Sequence, residues 1–351
     1  MPPPSPNRAA WIPAKHAPFT IADAPMPQPG PTEIVIRAHA VAFNPVDPAI
    51  QKLGMVITTY PTVIGCDVAG QITALGTDVV GFAVGDRVLA MLDHAAERSH
   101  WGAFQLYCAA SAGVTAKLPA GVAFTRGCVL PVALSTAAMA VFSREGLGLK
   151  CPRVDEVAAP NGRVVLVWGG SSSVGSCAIQ MVRAAGYAVA TTCGRHNFEY
   201  CRDVGAEWVF DYRSASVVED IVSALQASGK VFAGAFDAVF AHIGECGEVA
   251  HRLGGKKHVA TILPGPPTPM VVAEGLLPEG VGHSYCYCTN IKHDKIGPAI
   301  WGQWVTPALA KGTLRCKPEP KVVGRGLEAI QEACDRMSEG VSATKLVVEI
   351  L

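Results

Sequence analysis

The sequence lacks an excess of charge of either sign, and it lacks an apolar leader at its amino end. Its 351 residues include 29 lysines and arginines and 29 aspartates and glutamates, so the formal net charge is zero. Because this balance offers no basic field to a phosphate backbone, we expect no nucleic-acid partner. The amino end, MPPPSPNRAAWIPAKH, carries prolines where a signal peptide needs an apolar helix. We therefore expect a cytoplasmic protein.

A long uncharged run with the composition of a membrane span is also missing. The most apolar candidate, residues 127–143, contains Pro131 and the polar residues Ser135 and Thr136. That composition favours a buried helix over a lipid-exposed one, and we expect no membrane partner.

The cysteines have no metal-site spacing. The chain contains 12 of them, and no two form a C-x-x-C pair. Cysteine-based zinc sites use such pairs, and a chain without a secretion signal is expected to keep its thiols reduced. The sequence therefore predicts no metal site and no disulfide framework, and it predicts that most cysteines are small buried residues.

The most informative segment that is present runs from residue 164 to residue 186. Its first part, VVLVW, is a continuous apolar run typical of a buried parallel strand, and its last part has helical spacing. Between them, Gly170 fits a tight turn and Gly175 fits close packing of helix on strand, while Ser172 stands where the dinucleotide fingerprint has its middle glycine. The segment predicts a cofactor-phosphate site formed by Gly170, Ser171, Ser172, Ser173, Val174 and Gly175.

The next apolar run, residues 187–193, predicts the second parallel strand. It is followed by GRHN, with no acidic residue for a ribose hydroxyl. Since Arg195 is a suitable partner for a 2′-phosphate, the pattern favours NADPH over NADH. The alternative is that Arg195 is a solvated loop cation.

The order of the patterns predicts an α/β protein of two domains. Strand-like runs separated by glycine, proline and aspartate dominate residues 34–129, which indicates a mostly β domain. From about Leu134 onward, strands and helices alternate, which indicates a doubly wound parallel sheet. A closing strand is predicted at residues 345–350.

The chain resembles the medium-chain dehydrogenase/reductase superfamily, in its zinc-free branch of quinone oxidoreductases and enoyl reductases. It is most similar to the stand-alone enoyl reductases of fungal polyketide pathways. The residues that carry this resemblance are FNPVD (43–47), GCDVAG (65–70), VGDRV (84–88), 130–137, the glycine/serine turn, GAE (205–207) and FDYR (210–213). The resemblance implies a GroES-like domain over 1–133, a Rossmann domain over 134–289 and a return of 290–351 to the first domain.

The resemblance also implies that the family's zinc ligands are replaced. Zinc-dependent members carry a Cys-His pair, a Gly-His-Glu triplet and a later cysteine. The matching places in this chain hold Asn44 and Pro45, then Gly65-Cys66-Asp67, then Val132. This set cannot supply three protein ligands and an open position, so we expect no metal-polarised alcohol oxidation.

A reaction without a Lewis acid that suits such a site is hydride addition to the β-carbon of an α,β-unsaturated carbonyl, because hydrogen-bond donors can stabilise the resulting enolate. The resemblance places Asn44 and Thr136 near the nicotinamide and its ribose, and it places Arg195, Tyr212 and Arg213 near the adenosine 2′-phosphate. Pro264 follows the fifth predicted strand of the α/β region, where ligands collect, and is expected to border the nicotinamide. Further predicted cofactor contacts are Pro45, His196 and Leu263. Three alternatives remain open. Asn44, which precedes a proline, is also typical of a turn. Thr136 is also compatible with an internal helix position that bonds its own backbone, and Tyr212 with a side chain that covers the edge of the sheet.

The proton donor is not evident. Relatives often have a lysine two places after the aspartate of the Asn-Pro-x-Asp motif, whereas this chain has Ala49 there. Lys52, one helical turn further on, and Tyr60 are candidate donors, and each has the alternative of an ordinary surface or cleft residue. Protonation of the α-carbon by solvent is a third route.

The sequence thus predicts an NADPH-dependent, metal-free reductase of a conjugated alkene, acting on a small-molecule or carrier-bound acyl substrate. The resemblance implies a polyketide synthase as partner. Two other interpretations stay open: a reductase of another electrophile, such as a quinone, another enone or an iminium, and a non-catalytic NADPH-binding protein. Monomer and homodimer are equally open.

Overall fold

The computed structural model describes residues 6–93, 99–154, 158–262 and 275–351, which form two compact units. The first unit contains the described residues up to Val132 together with Glu319–Leu351, and the second contains those of 133–318. The sequence placed the return to the first unit at residue 290. Residues 290–318 instead stay with the second unit, where Ile300 and Trp301 are buried and the Trp301 Nε1 donates to Ser135 Oγ at 3.1 Å.

The strands and helices follow one another along the whole described chain. The strands are β1 (Arg8–Ile12), β2 (Thr20–Asp23), β3 (Glu33–Ala42), β4 (Thr62–Val63), β5 (Asp67–Leu75), β6 (Arg87–Met91), β7 (Tyr107–Ser111), β8 (Thr115–Lys117), β9 (Arg163–Trp168), β10 (Ala188–Cys193), β11 (Trp208–Asp211), β12 (Val231–Asp237), β13 (His258–Ile262), β14 (Gly282–Cys286), β15 (Glu319–Arg325) and β16 (Thr344–Glu349). The helices are α1 (Val46–Leu53), α2 (Phe124–Gly127), α3 (Pro131–Phe142), α4 (Ser173–Ala184), α5 (Phe198–Val204), α6 (Val217–Ala227), α7 (Ile243–Leu253), α8 (Val305–Lys311) and α9 (Ile330–Ser338). A π-helical stretch, Pro298–Trp304, leads into α8.

The first unit is built around a sheet in which the last strand of the chain lies beside an early one. Its order is β15-β16-β3-β5-β6-β8, with β7 also pairing β3. Strand β16 runs antiparallel to β3, with Val347 opposite Ala42, and the Phe43 N–H donates to the Leu346 carbonyl at 3.0 Å. This register brings the start of β16 next to Asn44, the residue that follows Phe43. A smaller sheet, β2-β1-β4, packs into the same core.

The second unit is the Rossmann domain that the sequence predicted. Its described strands pair in parallel in the order β11-β10-β9-β12-β13-β14. Numbered from β9, this is 3-2-1-4-5-6, the doubly wound order in which ligands bind where the strand order reverses. The apolar run 164–168 forms the central strand β9 and is fully or almost fully buried, which explains why it shows no alternation.

Most cysteines and the most apolar segment are buried, as the sequence predicted. All twelve cysteines lie within the described residues as free thiols, and all but Cys151 and Cys288 are buried. By length and composition, Phe124–Phe142 could cross a membrane, but 78% of its most apolar window is buried inside the protein. That degree of burial is typical of a core helix.

Candidate functional site

The turn between β9 and α4 has the shape of a phosphate cradle. Gly169 has φ +82°, which favours glycine. A Cβ on Gly170 would overlap the Thr191 hydroxyl, and a Cβ on Gly175 would overlap the Gly169 carbonyl and the Gly170 Cα. The two glycines therefore allow the helix to start close to the strand end, as the sequence predicted.

Ser172 caps the helix that begins at this turn. It is the N-cap of α4, and its Oγ accepts a hydrogen bond from the Gly175 N–H at 3.0 Å. This bond satisfies one of the N–H groups that a helix start leaves without an acceptor. The Ser172 hydroxyl can still donate its hydrogen to an anion, so its role in binding phosphate stays a prediction. The N–H groups of Ser173 and Val174, which lie outside the helical hydrogen-bond ladder, remain available to an anion.

The residues predicted around the 2′-phosphate come together at the ends of β10 and β11. Arg213 places its guanidinium 4.8 Å from the centre of the Tyr212 ring. A Cβ on Gly194 would lie 3.0 Å from Arg213 Nη1 and 2.9 Å from His196 Cε1, so both side chains crowd this glycine. Arg195 follows directly and is 83% exposed.

Asp211 joins this group, although the sequence reasoning did not include it. Its Oδ2 lies 3.0 Å from Arg195 Nε, and its Oδ1 accepts from the Arg213 N–H at 3.1 Å. The Arg213 N–H and then the Arg195 guanidinium hold the pKa of Asp211 below its usual value. The pairing uses Nε, and among the described residues no hydrogen bond uses the two terminal nitrogens of Arg195. The signal in the sequence for this role of Asp211 is that it directly follows the apolar run Trp208-Val209-Phe210.

A cavity of about 500 Å³ opens beside Arg195. Its lining combines apolar side chains with acidic and hydroxyl groups and consists of Arg195, Phe198, Val209, Phe210, Asp211, Ser214 and Asp220. A pocket with mixed lining of this size suits part of a nucleotide.

Asp237, at the end of β12, organises the loop beside the glycine turn. Its carboxylate accepts hydrogen bonds from the N–H groups of Val239, Phe240 and His242 at 3.0 to 3.1 Å. Burial raises the pKa of Asp237, while these N–H donors act against the rise. His242 in turn stacks on Trp168, with the ring centres 5.1 Å apart.

A second polar site lies in the first unit and is almost completely buried. Asn44 is 6% exposed, Lys345 is 3% exposed and Asp67 is fully buried. The Lys345 Nζ lies 2.6 Å from Asn44 Oδ1 and 2.9 Å from Asp67 Oδ2. Asn44 Nδ2 donates to Asp67 Oδ2 at 2.9 Å, and the Val132 N–H donates to Asp67 Oδ1 at 2.7 Å. Both carboxylate oxygens of Asp67 are therefore occupied.

Asp47 extends this network at the start of α1. It is fully buried, its Oδ2 accepts from the Asn44 N–H at 2.7 Å, and its Oδ1 has no hydrogen-bond partner among the described residues. Burial raises the pKa of Asp47 to about 7, the Asp67 carboxylate adds to the rise, and the Asn44 N–H and Lys345 oppose it. Asp47 is thus largely protonated below neutral pH.

The remaining predicted residues are not brought into this network. Lys52 lies on the exposed side of α1, 2.8 Å from Asp335 Oδ1. Tyr60 donates a long hydrogen bond of 3.4 Å to the Ile57 carbonyl, and burial raises the pKa of its phenol. Neither geometry supports a proton donor. Thr136 is buried on α3 in the second unit. Two predicted residues, Leu263 and Pro264, lie outside the described residues.

Comparison with known proteins decides the family. Residues 30–123 match the family described as Alcohol dehydrogenase GroES-like domain. The chain is 40% identical to the "Dehydrogenase orsE" of Emericella nidulans over 98% of this chain and 99% of that protein. The chain belongs to the medium-chain dehydrogenase/reductase superfamily. Within it, the chain is a member of the quinone oxidoreductase and enoyl reductase branch, and it is an oxidoreductase of the kind that uses a nicotinamide cofactor.

One further relative and one solved structure of similar fold extend the comparison. The "Trans-enoyl reductase himH" of Aspergillus japonicus is 35% identical over 98% of this chain and 97% of its own. The crystal structure of the CurK enoyl reductase is similar in fold, with a TM-score of 0.76 at 18% identity over 99% of this chain and 100% of that one.

The superfamily's zinc does not fit the buried site of the first unit. Three of the places matched to the zinc motifs, Asn44, Asp67 and Val132, do meet there, and Cys66 precedes Asp67 in the chain. An amide, an apolar side chain, one thiol and a carboxylate already paired with an ammonium do not make a zinc ligand set. Among the described residues, no group of three or more His, Cys, Asp or Glu side chains is arranged to hold a metal ion.

Proposed function

We propose that the protein is an NADPH-dependent, zinc-independent reductase that delivers hydride to the β-carbon of an α,β-unsaturated carbonyl. The observation that carries the proposal is the network of Asn44, Asp67 and Lys345 at the place that corresponds to the zinc centre of zinc-dependent relatives. Chemistry that needs a metal to polarise an oxygen has no ligands to use there. Reduction of a conjugated alkene needs only an oriented hydride and hydrogen-bond donors for the enolate.

The second unit supplies the groups that would hold NADPH. Gly170 and Gly175 allow the pyrophosphate to approach the start of α4, where backbone N–H groups and the helix dipole favour an anion. Arg195 keeps its terminal nitrogens for the 2′-phosphate because Asp211 is bonded to Nε. When bound, this cofactor supplies a hydride.

We further propose that Asn44 and Thr136 orient the nicotinamide and its ribose, and that the α-carbon takes its proton from solvent. The second assignment follows from the sequence and the contacts together, since position 49 is alanine and the Lys52 ammonium pairs with Asp335. The protein then controls which face of the alkene the hydride reaches.

We propose an enoyl thioester of a polyketide pathway as the substrate, delivered in the cytoplasm by a polyketide synthase or as a small molecule. The support is the 35% identity with a relative that is named a trans-enoyl reductase. The zero net charge of the chain is consistent with an acyl substrate and gives no support for a nucleic acid.

The test is consumption of NADPH with enoyl thioesters, enones, quinones and aldehydes, each with and without a chelator. We expect turnover with enoyl thioesters that the chelator does not change. Turnover with quinones or aldehydes alone, or loss of activity on chelation, would overturn the proposal. NADPH binding without any turnover would indicate a non-catalytic binding protein.

Cofactor preference is tested by Arg195→Ala. We expect the KM for NADPH to rise at least tenfold and the KM for NADH to change little, because only NADPH carries the 2′-phosphate. Arg336→Ala, which removes an exposed arginine paired with Glu332 on α9, serves as the matched control. Equal changes for both cofactors would refute the phosphate role.

A further inference from the structure

Lys345 is a buried cation that the sequence did not point to as a site residue. It stands near the start of β16, a strand that otherwise carries apolar residues into the core. A lysine that is 3% exposed loses the hydration of its ammonium, so it needs close partners. The structure provides two of them, the Asp67 carboxylate and the Asn44 amide oxygen.

These partners determine which way the Asn44 amide points. An ammonium only donates hydrogen bonds, and an ionised carboxylate only accepts them. The amide therefore satisfies Lys345 and Asp67 together in one orientation alone, with Oδ1 toward Lys345 and Nδ2 toward Asp67. Nδ2 carries two hydrogens and gives one to Asp67, so its second hydrogen remains for a ligand.

The charges of the network also balance. Lys345 and Asp67 form the ion pair, and the protonated form of Asp47 adds no charge. In zinc-dependent relatives, the matching place holds a divalent cation within the same fold. Here a side chain of the protein supplies the positive charge.

We infer that Lys345 is a positioning residue that replaces the metal of this fold: it holds Asp67 and Asn44 so that the amide N–H of Asn44 is presented to the nicotinamide half of the cofactor. The inference rests on the proposed function, since that function assigns Asn44 to the nicotinamide. It adds a group that acts on the cofactor only through Asn44.

The test uses the double variant Lys345→Met/Asp67→Asn. This variant removes both buried charges, so no unpaired charge remains and we expect a melting temperature within a few degrees of the wild type. We expect kcat to fall about 100-fold, because a misplaced cofactor-orienting group has effects of that size. NADPH should bind more weakly, while adenosine 2′,5′-bisphosphate, which lacks the nicotinamide, should bind as it does to the wild type.

Asn44→Ala separates positioning from a structural role. Alone it should lower kcat by a similar factor, and added to the double variant it should change kcat by less than about threefold, because both changes remove the same interaction. Losses that multiply, or wild-type kcat and NADPH affinity in the double variant, would show that Lys345 merely neutralises Asp67.

Two further points keep the outcome decisive. If the double variant does not fold, Lys345→Gln/Asp67→Asn carries the same test, since its amides leave no unpaired charge and, because they both donate and accept, no longer fix the orientation of the Asn44 amide. If the wild type reduces no enoyl acceptor, the proposed function fails. The comparison of NADPH with the bisphosphate needs no acceptor and still decides the role of Lys345.

Discussion

The stability of the protein should depend on pH through Asp47, with a sign opposite to that of an ordinary ion-paired carboxyl. In the folded chain burial raises its pKa from 3.8 to about 7. Between these values the folded chain holds a proton that the unfolded chain has released. The free energy of unfolding therefore falls as the pH rises, and the fall is complete above about pH 7.

The size of the effect follows from the two pKa values. A rise from 3.8 to about 7 corresponds to about 4 kcal/mol, of which about 2 to 3 kcal/mol falls between pH 5 and pH 8. Asp47→Asn removes the titrating group and with it this pH dependence. Any cost of burying the new amide is the same at every pH. The prediction therefore concerns only how the free energy of unfolding changes with pH.

The assay is urea unfolding of wild type and Asp47→Asn at several pH values from 5 to 8. We expect the variant to gain about 2 to 3 kcal/mol relative to the wild type across this range. Asp78→Asn, which changes an exposed carboxyl on the turn after β5, is the control and should run parallel to the wild type. Parallel curves for wild type and Asp47→Asn would refute the reasoning, since they would mean that Asp47 titrates alike in the folded and unfolded chains.

Three shorter predictions address the cofactor turn and the rejected proton donor. Gly175→Ala should abolish NADPH binding in a fluorescence titration, because its Cβ meets backbone that cannot yield, whereas Gly302→Ala, whose Cβ meets nothing within 4 Å, should bind normally. Ser172→Ala should lower the free energy of unfolding by about 1 kcal/mol through loss of the helix cap, measured by urea unfolding; no change would remove its capping role. Lys52→Ala should leave kcat unchanged and cost at most about 1 kcal/mol, since it breaks an exposed ion pair, and a large loss of kcat would restore Lys52 as a proton donor.

The cofactor domain was readable from the sequence because its signals are local. The apolar run of β9, the turn with Gly170 and Gly175, and the helix that follows lie within one short segment, and each is favoured by its own residues. Ser172 shows where such reasoning stops. A serine before a helix fits both a phosphate site and a helix cap, and only the hydrogen bond from the Gly175 N–H shows that the cap is formed.

The positions of charged partners could not be read in the same way. Arg195 and Asp211 are 16 residues apart and meet because β10 and β11 are neighbours in the sheet. The residues that follow β10 therefore gave no sign that a carboxylate from the next strand pairs with Arg195. Likewise, Lys52 was considered because it lies one helical turn after Ala49, whereas its pairing with Asp335 on α9 could not be seen in the sequence.

The sequence by itself determined the family, the parallel cofactor-binding sheet and the loss of the zinc ligands, since each depends on residue types within short segments. Tertiary structure alone decided what stands in place of the metal. Asn44 and Lys345 are 301 residues apart, and the pairing of β16 with β3 brings them to 2.6 Å. The role of a buried charge depends on its neighbours, because water no longer stabilises it. Those neighbours are set by the fold rather than by adjacency along the chain.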